Sequence, residues 1–530
     1  MRRFHDLYRA LDATSRTSRK EAALVAYFEA APAADAAWAA HLLLGRRGRR
    51  AVNTRLLREW AAEESGLPLW LVEESYDAVG DLAETIALLV PDRAERGTPE
   101  GLADFIQRRV LGLAGLDPEA QRTLVLETWR DLDAGERFLF HKLISGGFRV
   151  GVAGGLVARS LARVAGVDRA TMMHRLAGRW EPTAEAWAQL MSEDEGGDPL
   201  RPYPFFLAHA VPPSVEELGP ATEFQAEWKW DGIRAQAVRR GEETVLWSRG
   251  GDLVNGGFPE IVEDLQALPP GTVIDGELLA WDGGRPLGFH QLQRRIQRKS
   301  VGRKLREEVP VRLMAYDLLE AGGEDLRALP TVERRARLEA LVEGAALPRL
   351  GLAEVVEGPT WEALTAARES SRSRGVEGLM LKRRDAAYGA GRPRGDWWKW
   401  KVDPFTLDAV LVYAQRGHGR RASLYTDYTL GVWDGGELVP VAKAYSGLTD
   451  AEIRRVDAFV RRHIVDRFGP VRVVEPELVF EIAFEGIQPS SRHKAGLSLR
   501  FPRIARWRED KQPADADTLE RVRALMGEAT

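Results

Sequence analysis

Apolar residues recur at a helical period through the first part of the chain, over 21–28, 38–44 and 82–90, with few alternating stretches among them. The pattern predicts an all-α domain over 1–202. An acidic, glycine-rich run, Ser192-Glu193-Asp194-Glu195-Gly196-Gly197-Asp198-Pro199, closes it, and Pro202, Pro204, Pro212 and Pro213 prolong the break, so this stretch reads as a linker. From 203 to 403 strands dominate, at 272–274, 311–316, 379–382 and 398–402. Phe224, Ala226 and Trp228 alternate as a buried strand does, and that strand delivers Lys229 into a turn.

Asp403-Pro404 marks a second break. Beyond it, short strands at 408–413, 428–433 and 478–484, with turn residues such as Asp434-Gly435-Gly436, suit an all-β domain over 404–530, a small barrel of the OB type. At 530 residues the chain exceeds one hydrophobic core, in keeping with three domains. No internal repeat is evident.

Hydrophobic content of 44% and charged content of 29% fit a soluble globular protein, and no apolar run approaches the roughly 20 residues of a membrane span. Met1-Arg2-Arg3-Phe4-His5-Asp6 has two arginines without an apolar stretch behind them, so the cytoplasm is the expected place. With no cysteine, disulfides and thiolate metal sites are excluded. The net charge of -4 does not mark a nucleic-acid binder, yet a duplex feels local clusters, not the total. Arg294, Arg295, Arg298, Lys299, Arg303, Lys304 and Arg306 stand in one stretch with no acid among them and predict phosphate contacts; a solvated surface is the alternative. In Ser145-Gly146-Gly147-Phe148-Arg149-Val150-Gly151-Val152-Ala153-Gly154-Gly155-Leu156, glycines before a helix open backbone N–H groups to phosphate and Arg149 adds a charge. A close helix crossing is the other reading. Arg46, Arg47, Arg49 and Arg50 form a further basic cluster.

The chemistry centres on Glu227-Trp228-Lys229-Trp230-Asp231-Gly232-Ile233-Arg234. An ammonium cannot attack; partial burial and a nearby cation such as Arg234 favour the free amine that phosphoramidate chemistry requires. Lys399 and Lys401 alternate on one strand and share a face, as two cations converging on a phosphate should, while Trp398 and Trp400 cover the other face.

Downstream of Lys229, in order, come Ser248-Arg249-Gly250-Gly251, Asp275-Gly276-Glu277, Tyr316-Asp317, Glu377-Gly378-Leu379-Met380-Leu381-Lys382, Trp397-Trp398-Lys399-Trp400-Lys401 and Arg508-Glu509-Asp510-Lys511. This ordered set resembles the covalent nucleotidyltransferases, specifically the ATP-dependent DNA ligases of the type with an N-terminal helical DNA-binding domain. The resemblance covers roughly the whole chain. It implies a multidomain fold: an all-α DNA-binding domain, an α+β nucleotidyltransferase (adenylation) domain and an all-β OB-fold domain. It also implies ATP and Mg²⁺ as cofactors and nicked duplex DNA as the partner of a monomer. Lys229 would attack the α-phosphate of ATP, AMP would pass to the 5′-phosphate of a nick, and the 3′-hydroxyl would displace it.

By the same resemblance, Asp231 helps the sealing step, Arg234 and Arg249 hold nucleotide or nick phosphate, and Tyr316 stacks on the base. Glu277 binds ribose or lies near metal, and Glu377 is the stronger magnesium candidate. Glu227, two residues before the nucleophile, accepts the adenine amino group and repels guanine, which favours ATP over GTP. The family arginine before the paired lysines falls on Pro393 here, leaving Arg392 or Arg394, of which Arg394 is chosen. Arg508 and Lys511 orient pyrophosphate, with Arg503 in reserve, and their domain must swing to do so. An RNA ligase or GTP-dependent capping enzyme shares the lysine motif, but Glu227 and the helical region weigh against it. A DNA-binding scaffold without activity is the reading from another class. The lack of cysteine argues against the NAD-dependent ligases, which carry a four-cysteine zinc module.

Overall fold

The computed structural model describes residues 1–530 except 15, 47–50, 80, 93–96, 146–150, 178–179, 193–198, 297, 299, 418–420, 422, 491–492 and 529–530. The chain divides into two compact units. One comprises Met1–Gly166, Pro182–Met191 and Pro404–Gly527, the other Val167–Glu181, Ser192–Asp403 and Glu528–Thr530. No helix among the described residues is long and apolar enough to cross a membrane.

The first unit opens with a helical region. Helices Thr17–Ala30, Ala33–Leu43 and Leu82–Leu89 stand where the sequence periodicity puts them, each a few residues longer or shorter at its ends. Helix α1 (Ala134–Ser145) runs through the core of this region. On it, Arg137 is fully buried and donates to the carbonyls of Val90 and Leu132 and to Asp92, which offsets the desolvation of its charge. One turn on, His141 packs its ring 5.4 Å from those of Trp129 and Phe140, with neither ring nitrogen hydrogen-bonded.

Burial pushes His141 down to about 3, aided by the charge of Arg137. Because the folded value lies below the ordinary 6.5, the folded state binds fewer protons than the unfolded one. The contribution of this group is therefore present above about pH 6.5 and is lost as pH falls toward about 3. His141→Leu should melt with a shallower loss of stability between those limits than the parent, followed by circular dichroism. Parallel acid profiles would show that this ring does not set the acid sensitivity.

In the second unit the period-two pattern dictates a layered arrangement. Strands β1 (Phe224–Trp228), β2 (Ile233–Arg240), β3 (Glu243–Ser248), β4 (Thr272–Asp282), β5 (Val311–Ala321), β6 (Gly378–Arg383) and β7 (Trp397–Lys401) carry it. Among the described residues, β1 lies between β6 and Val355–Val356 in a five-stranded sheet whose β6 pairs antiparallel with β7. A second sheet orders β3, β2, β4 and β5 side by side, all antiparallel.

Successive side chains of each strand point to opposite faces. Phe224, Ala226 and Trp228 of β1, Leu379 and Leu381 of β6 and Trp400 of β7 pack with Trp361 and Leu364 of helix Trp361–Glu369. On the second sheet, Ala235, Ala237, Ile274, Leu278, Leu313 and Ala315 pack with Leu338 and Val342. Val238, Trp247, Val273 and Leu319 of the second sheet share a third apolar cluster with Trp397 and Met380 of the first, so the two sheets face one another across it. Polar residues interleaved with this inner set, among them Glu227, Lys382, Lys399 and Lys401 from one sheet and Arg234, Asp275 and Glu277 from the other, are thereby turned into the space between the sheets.

Two helices complete what positions the site. Helix α2 (Arg169–Leu176) belongs to this second unit, where His174 stacks on Tyr203 at 5.7 Å. Helix α3 (Thr331–Ala345) is locked to β5 by fully buried Arg334, whose Nε and Nη2 donate to the two carboxylate oxygens of Asp317 at 2.8 and 3.0 Å.

The C-terminal part of the first unit is β-rich. β8 (Phe405–Arg416), β9 (Tyr425–Asp434) and β10 (Glu437–Ala444) form an antiparallel meander, and β11 (Val479–Phe484) pairs with both β8 and β12 (Arg503–Trp507). The strands at 408–413 and 428–433 extend further than their sequence pattern indicates: Phe405, Thr406 and Leu407 pair with β11, and Gln415 and Arg416 with Asp427 and Tyr425.

Candidate active site

Lys229 leaves β1 into the turn before β2, and its placement depends on two glycines. A Cβ at Gly232 would collide with the carbonyl oxygen of Leu278 and lie 2.7 Å from Leu279. Gly378 has φ 134°, a conformation that favours glycine, and a Cβ there would strike the backbone of β7. With Gly378 bare, the Lys229 N–H donates to its carbonyl at 2.8 Å and the Glu377 N–H donates to the carbonyl of Lys229 at 2.7 Å. This backbone exchange sets Glu377 beside the lysine. Lys229 Nζ donates to Glu377 Oε2, and Lys401 Nζ donates to Oε1 at 3.2 Å.

The expected neighbour of Lys229 was Arg234; the observed partner is a carboxylate. Arg234 is engaged elsewhere, donating through Nε and Nη2 to Asp275 at 3.1 and 2.6 Å. Asp275, fully buried, also accepts from Tyr316 Oη at 3.2 Å and Tyr388 Oη at 2.5 Å. Burial raises both phenols well above their ordinary value, which keeps them hydrogen-bond donors. Tyr388 and Asp275 had no role in the sequence reading. Asp275 was recognisable by its place two residues before Glu277 on the same strand face, whereas Tyr388 reaches it from 113 residues away and carries no local signal.

Two carboxyls flank the lysine in opposite states. Burial pushes Glu277 up to about 8, against the opposing charges of Lys229 and Arg234. Burial acts in the same direction on Glu377, but Lys229 and Lys401 outweigh it and hold that carboxyl below its ordinary value. Lys399 is lowered by burial and then by the charges of Arg392 and Lys401. The charge of Arg392 thus reaches Lys399. The turn between β6 and β7 has positive φ at Gly391 and Gly395, so side-chain direction there departs from strand alternation.

On the inner face of β1, Glu227 is 2% exposed. Gln225 Nε2 donates to its Oε1 at 2.6 Å and Lys382 Nζ to its Oε2 at 2.8 Å. Lys382 also lies 4.5 Å from the centroid of the Tyr316 ring, with Arg234 Cζ at 5.7 Å. Asp231 is half-buried in the turn after Lys229, and Arg249 is exposed, its N–H bonded to the Arg234 carbonyl at 3.1 Å.

One unit therefore gathers a lysine in a carboxylate-bridged cation cluster, a buried acceptor and a partly exposed aromatic ring between two sheets. Three family models match the chain: DNA ligase N terminus over residues 1–162, ATP dependent DNA ligase domain over 206–401, and ATP dependent DNA ligase C terminal region over 421–511. A probable DNA ligase of Koribacter versatilis is 32% identical over 97% of this chain and 95% of its own length. The chain belongs to the ATP-dependent DNA ligases. A DNA ligase of Thermococcus fumicolans is 30% identical, covering 98% of this chain and 97% of its own. The solved structure Pmar-Lig_Pre, 15% identical, matches 96% of this chain and 99% of its own with a TM-score of 0.62, a likeness of fold alone.

The remaining predicted residues of this ligase have partners of their own. Arg508 and Lys511 belong to the first unit and converge on Asp408, Arg508 Nη1 donating to Oδ2 at 2.9 Å and Lys511 Nζ at 2.6 Å. Arg503, the reserve choice, donates to Glu485 at 3.0 Å.

The basic stretch needs correction. Arg295 is fully buried, bonded to Glu260 at 2.7 Å and to the carbonyls of Gly257 and Val309, so it braces the fold and offers no charge to a duplex. Arg294 pairs with Glu308, Arg303 with Glu307, Lys304 with Glu308 and Arg306 with Glu263. Glu307 and Glu308 lie just past the run and Glu263 well before it, so the block is not the unpaired one its sequence suggests. Arg298 is exposed, its Nε on the Arg294 carbonyl at 2.7 Å. Arg149, Lys299 and the arginines at 47, 49 and 50 lie outside the described residues. Past Arg149, Gly154 begins a helix ending at Ala165, and a Cβ there would make only ordinary contact, 3.5 Å from Leu44, so a tight crossing does not require that glycine.

Proposed function

We propose that the ligase seals nicks in duplex DNA with Lys229 as the nucleotide carrier. The Lys229–Glu377–Lys401 bridge, set over buried Glu227, carries the reading. Lys229 Nζ attacks the α-phosphorus of ATP; the P–N bond forms as the bond to the bridging oxygen breaks, pyrophosphate leaves and the amine gives up its proton. A 5′-phosphate oxygen of the nick then displaces the lysine, and the 3′-hydroxyl displaces AMP. Lys399 and Lys401 neutralise the α-phosphate, while Asp275 holds Arg234 in place for nucleotide or 5′-phosphate. Arg249 holds phosphate at the nick, Asp231 assists the last step and Tyr316 lies against the base. Arg508 and Lys511 orient pyrophosphate once Asp408 releases them.

Carboxylate oxygens suit Mg²⁺, and Glu277 and Glu377 are the residues to hold it; bound there, it neutralises charge building on the phosphates. Burial raises the proton affinity of Glu277 despite the charges of Lys229 and Arg234, and a further cation beside it would favour the ionised carboxylate. Three domains serve this scheme: a helical DNA-binding domain over 1–202, an adenylation domain over 203–403 and an OB-fold domain over 404–530. Exposed Arg294 and Arg298, with Arg149 and Lys299, supply phosphate contacts. The enzyme works as a monomer in the cytoplasm, on the nucleoid.

Base choice rests on Glu227. Glu227→Gln retains the size and one acceptor but removes the charge that repels guanine. It should narrow the preference for ATP over GTP in self-adenylation by about 1–3 kcal/mol. The rate of covalent nucleotidyl-lysine formation with each nucleotide, in parent and variant, measures it. Unchanged selectivity would move base reading to other groups.

A further inference from the structure

Arg335 stands one residue after the Arg334–Asp317 lock, on the face of α3 that approaches β1. It is 7% exposed. Its Nε donates to Glu339 Oε1 at 2.6 Å. Its Nη1 is buried without a hydrogen-bond partner, 4.0 Å from Glu227 Oε1 and so beyond bonding reach. A buried guanidinium N–H with no acceptor carries an uncompensated desolvation cost. Glu227 does not relieve it, because its nearer oxygen stays 4.0 Å away, held by Gln225, while Lys382 holds the other.

A carboxylate retains further lone pairs after two such bonds. Glu227 and Arg335 thus set an acceptor and an unused donor side by side. The amino-bearing edge of adenine has the complementary order, an N–H donor beside a ring-nitrogen acceptor; guanine replaces the amino group with an oxygen acceptor. We propose that Arg335 is a specificity residue that donates from Nη1 to the adenine ring nitrogen flanking the 6-amino group, while Glu227 accepts from that amino group. The proposal rests on the reading that this pocket takes ATP for Lys229 adenylation.

The test uses the full-length enzyme and measures the concentration dependence of AMP-lysine formation with ATP, 1-deaza-ATP and 7-deaza-ATP. The two analogues each lack one flanking nitrogen. For the parent, one analogue should cost on the order of tenfold or more in half-saturating concentration, as loss of a hydrogen bond to a charged donor does. Arg335→Met should raise the value for ATP by a similar factor, keep the maximal rate and become indifferent to the same analogue. Arg335→Lys should regain part of the affinity.

A merely structural arginine would instead lower the adduct yield and the melting midpoint for all three nucleotides alike, with their ratios unchanged. Equal penalties for the analogue in parent and Arg335→Met would overturn the proposal, as would an unaltered response of that variant to ATP. Comparing nucleotides within one variant cancels any loss of folded protein. If the parent forms no AMP-lysine at all, the ATP reading itself fails; if it does and Arg335 proves indifferent, only this inference fails.

Discussion

Lys229→Ala should lose overall nick sealing by on the order of 10³-fold or more, because no other amine replaces the nucleophile in an otherwise assembled site. Binding of nicked DNA should persist, since phosphate contacts elsewhere are untouched. Part of the activity on nicks that already carry AMP should also survive, since that last step no longer needs the amine. Gel-based sealing of unmodified and pre-adenylated nicks separates these outcomes. Loss of both reactions together would mean that Lys229 supports the pocket, not only the transfer. Its ion pair with Glu377 makes this control necessary: removing the ammonium leaves the carboxylate with Lys401 alone.

Removal of residues 1–166 has the second large expected effect. This cut keeps α2, which belongs to the same compact unit as the lysine pocket. Lysine adenylation should remain nearly intact, since its groups lie between 225 and 401 and at Arg508 and Lys511, all beyond the cut. Nick affinity should fall by on the order of 10–100-fold and lose part of its salt dependence as phosphate contacts disappear. Adduct formation and fluorescence-anisotropy binding across a salt series give the two readouts. Equal affinity and equal salt slope in the truncated protein would return the helical region to a role other than holding DNA.

The strands around the pocket were legible because both faces of each carry a meaning. Phe224, Ala226 and Trp228 alternate with Gln225 and Glu227, and Trp398 and Trp400 alternate with Lys399 and Lys401; the apolar set packs on a helix and the polar set faces the second sheet. What sequence hid is long-range or irregular. Arg295 reads like its basic neighbours, and only Glu260, 35 residues earlier, reveals it as a buried brace. Arg392 and Arg394 flank Pro393 in a glycine turn, where no periodicity assigns direction. The partner of Lys229 was inferred from nearby Arg234, but strand pairing delivers Glu377 from 148 residues away. Arg335 reads like Arg334 and Arg337 of the same helix, which are paired with Asp317 and Glu324, and its unused donor shows only in the fold.

Covalent labelling tests the central claim most directly. The full chain is incubated with Mg²⁺ and either α-labelled ATP or α-labelled GTP, digested, and the labelled peptide identified by mass spectrometry. One AMP per chain from ATP, on the peptide containing Lys229, with far less label from GTP and none in Lys229→Ala, is the predicted result. Label on Lys382, Lys399 or Lys401 instead, or no covalent nucleotide from ATP, would contradict it.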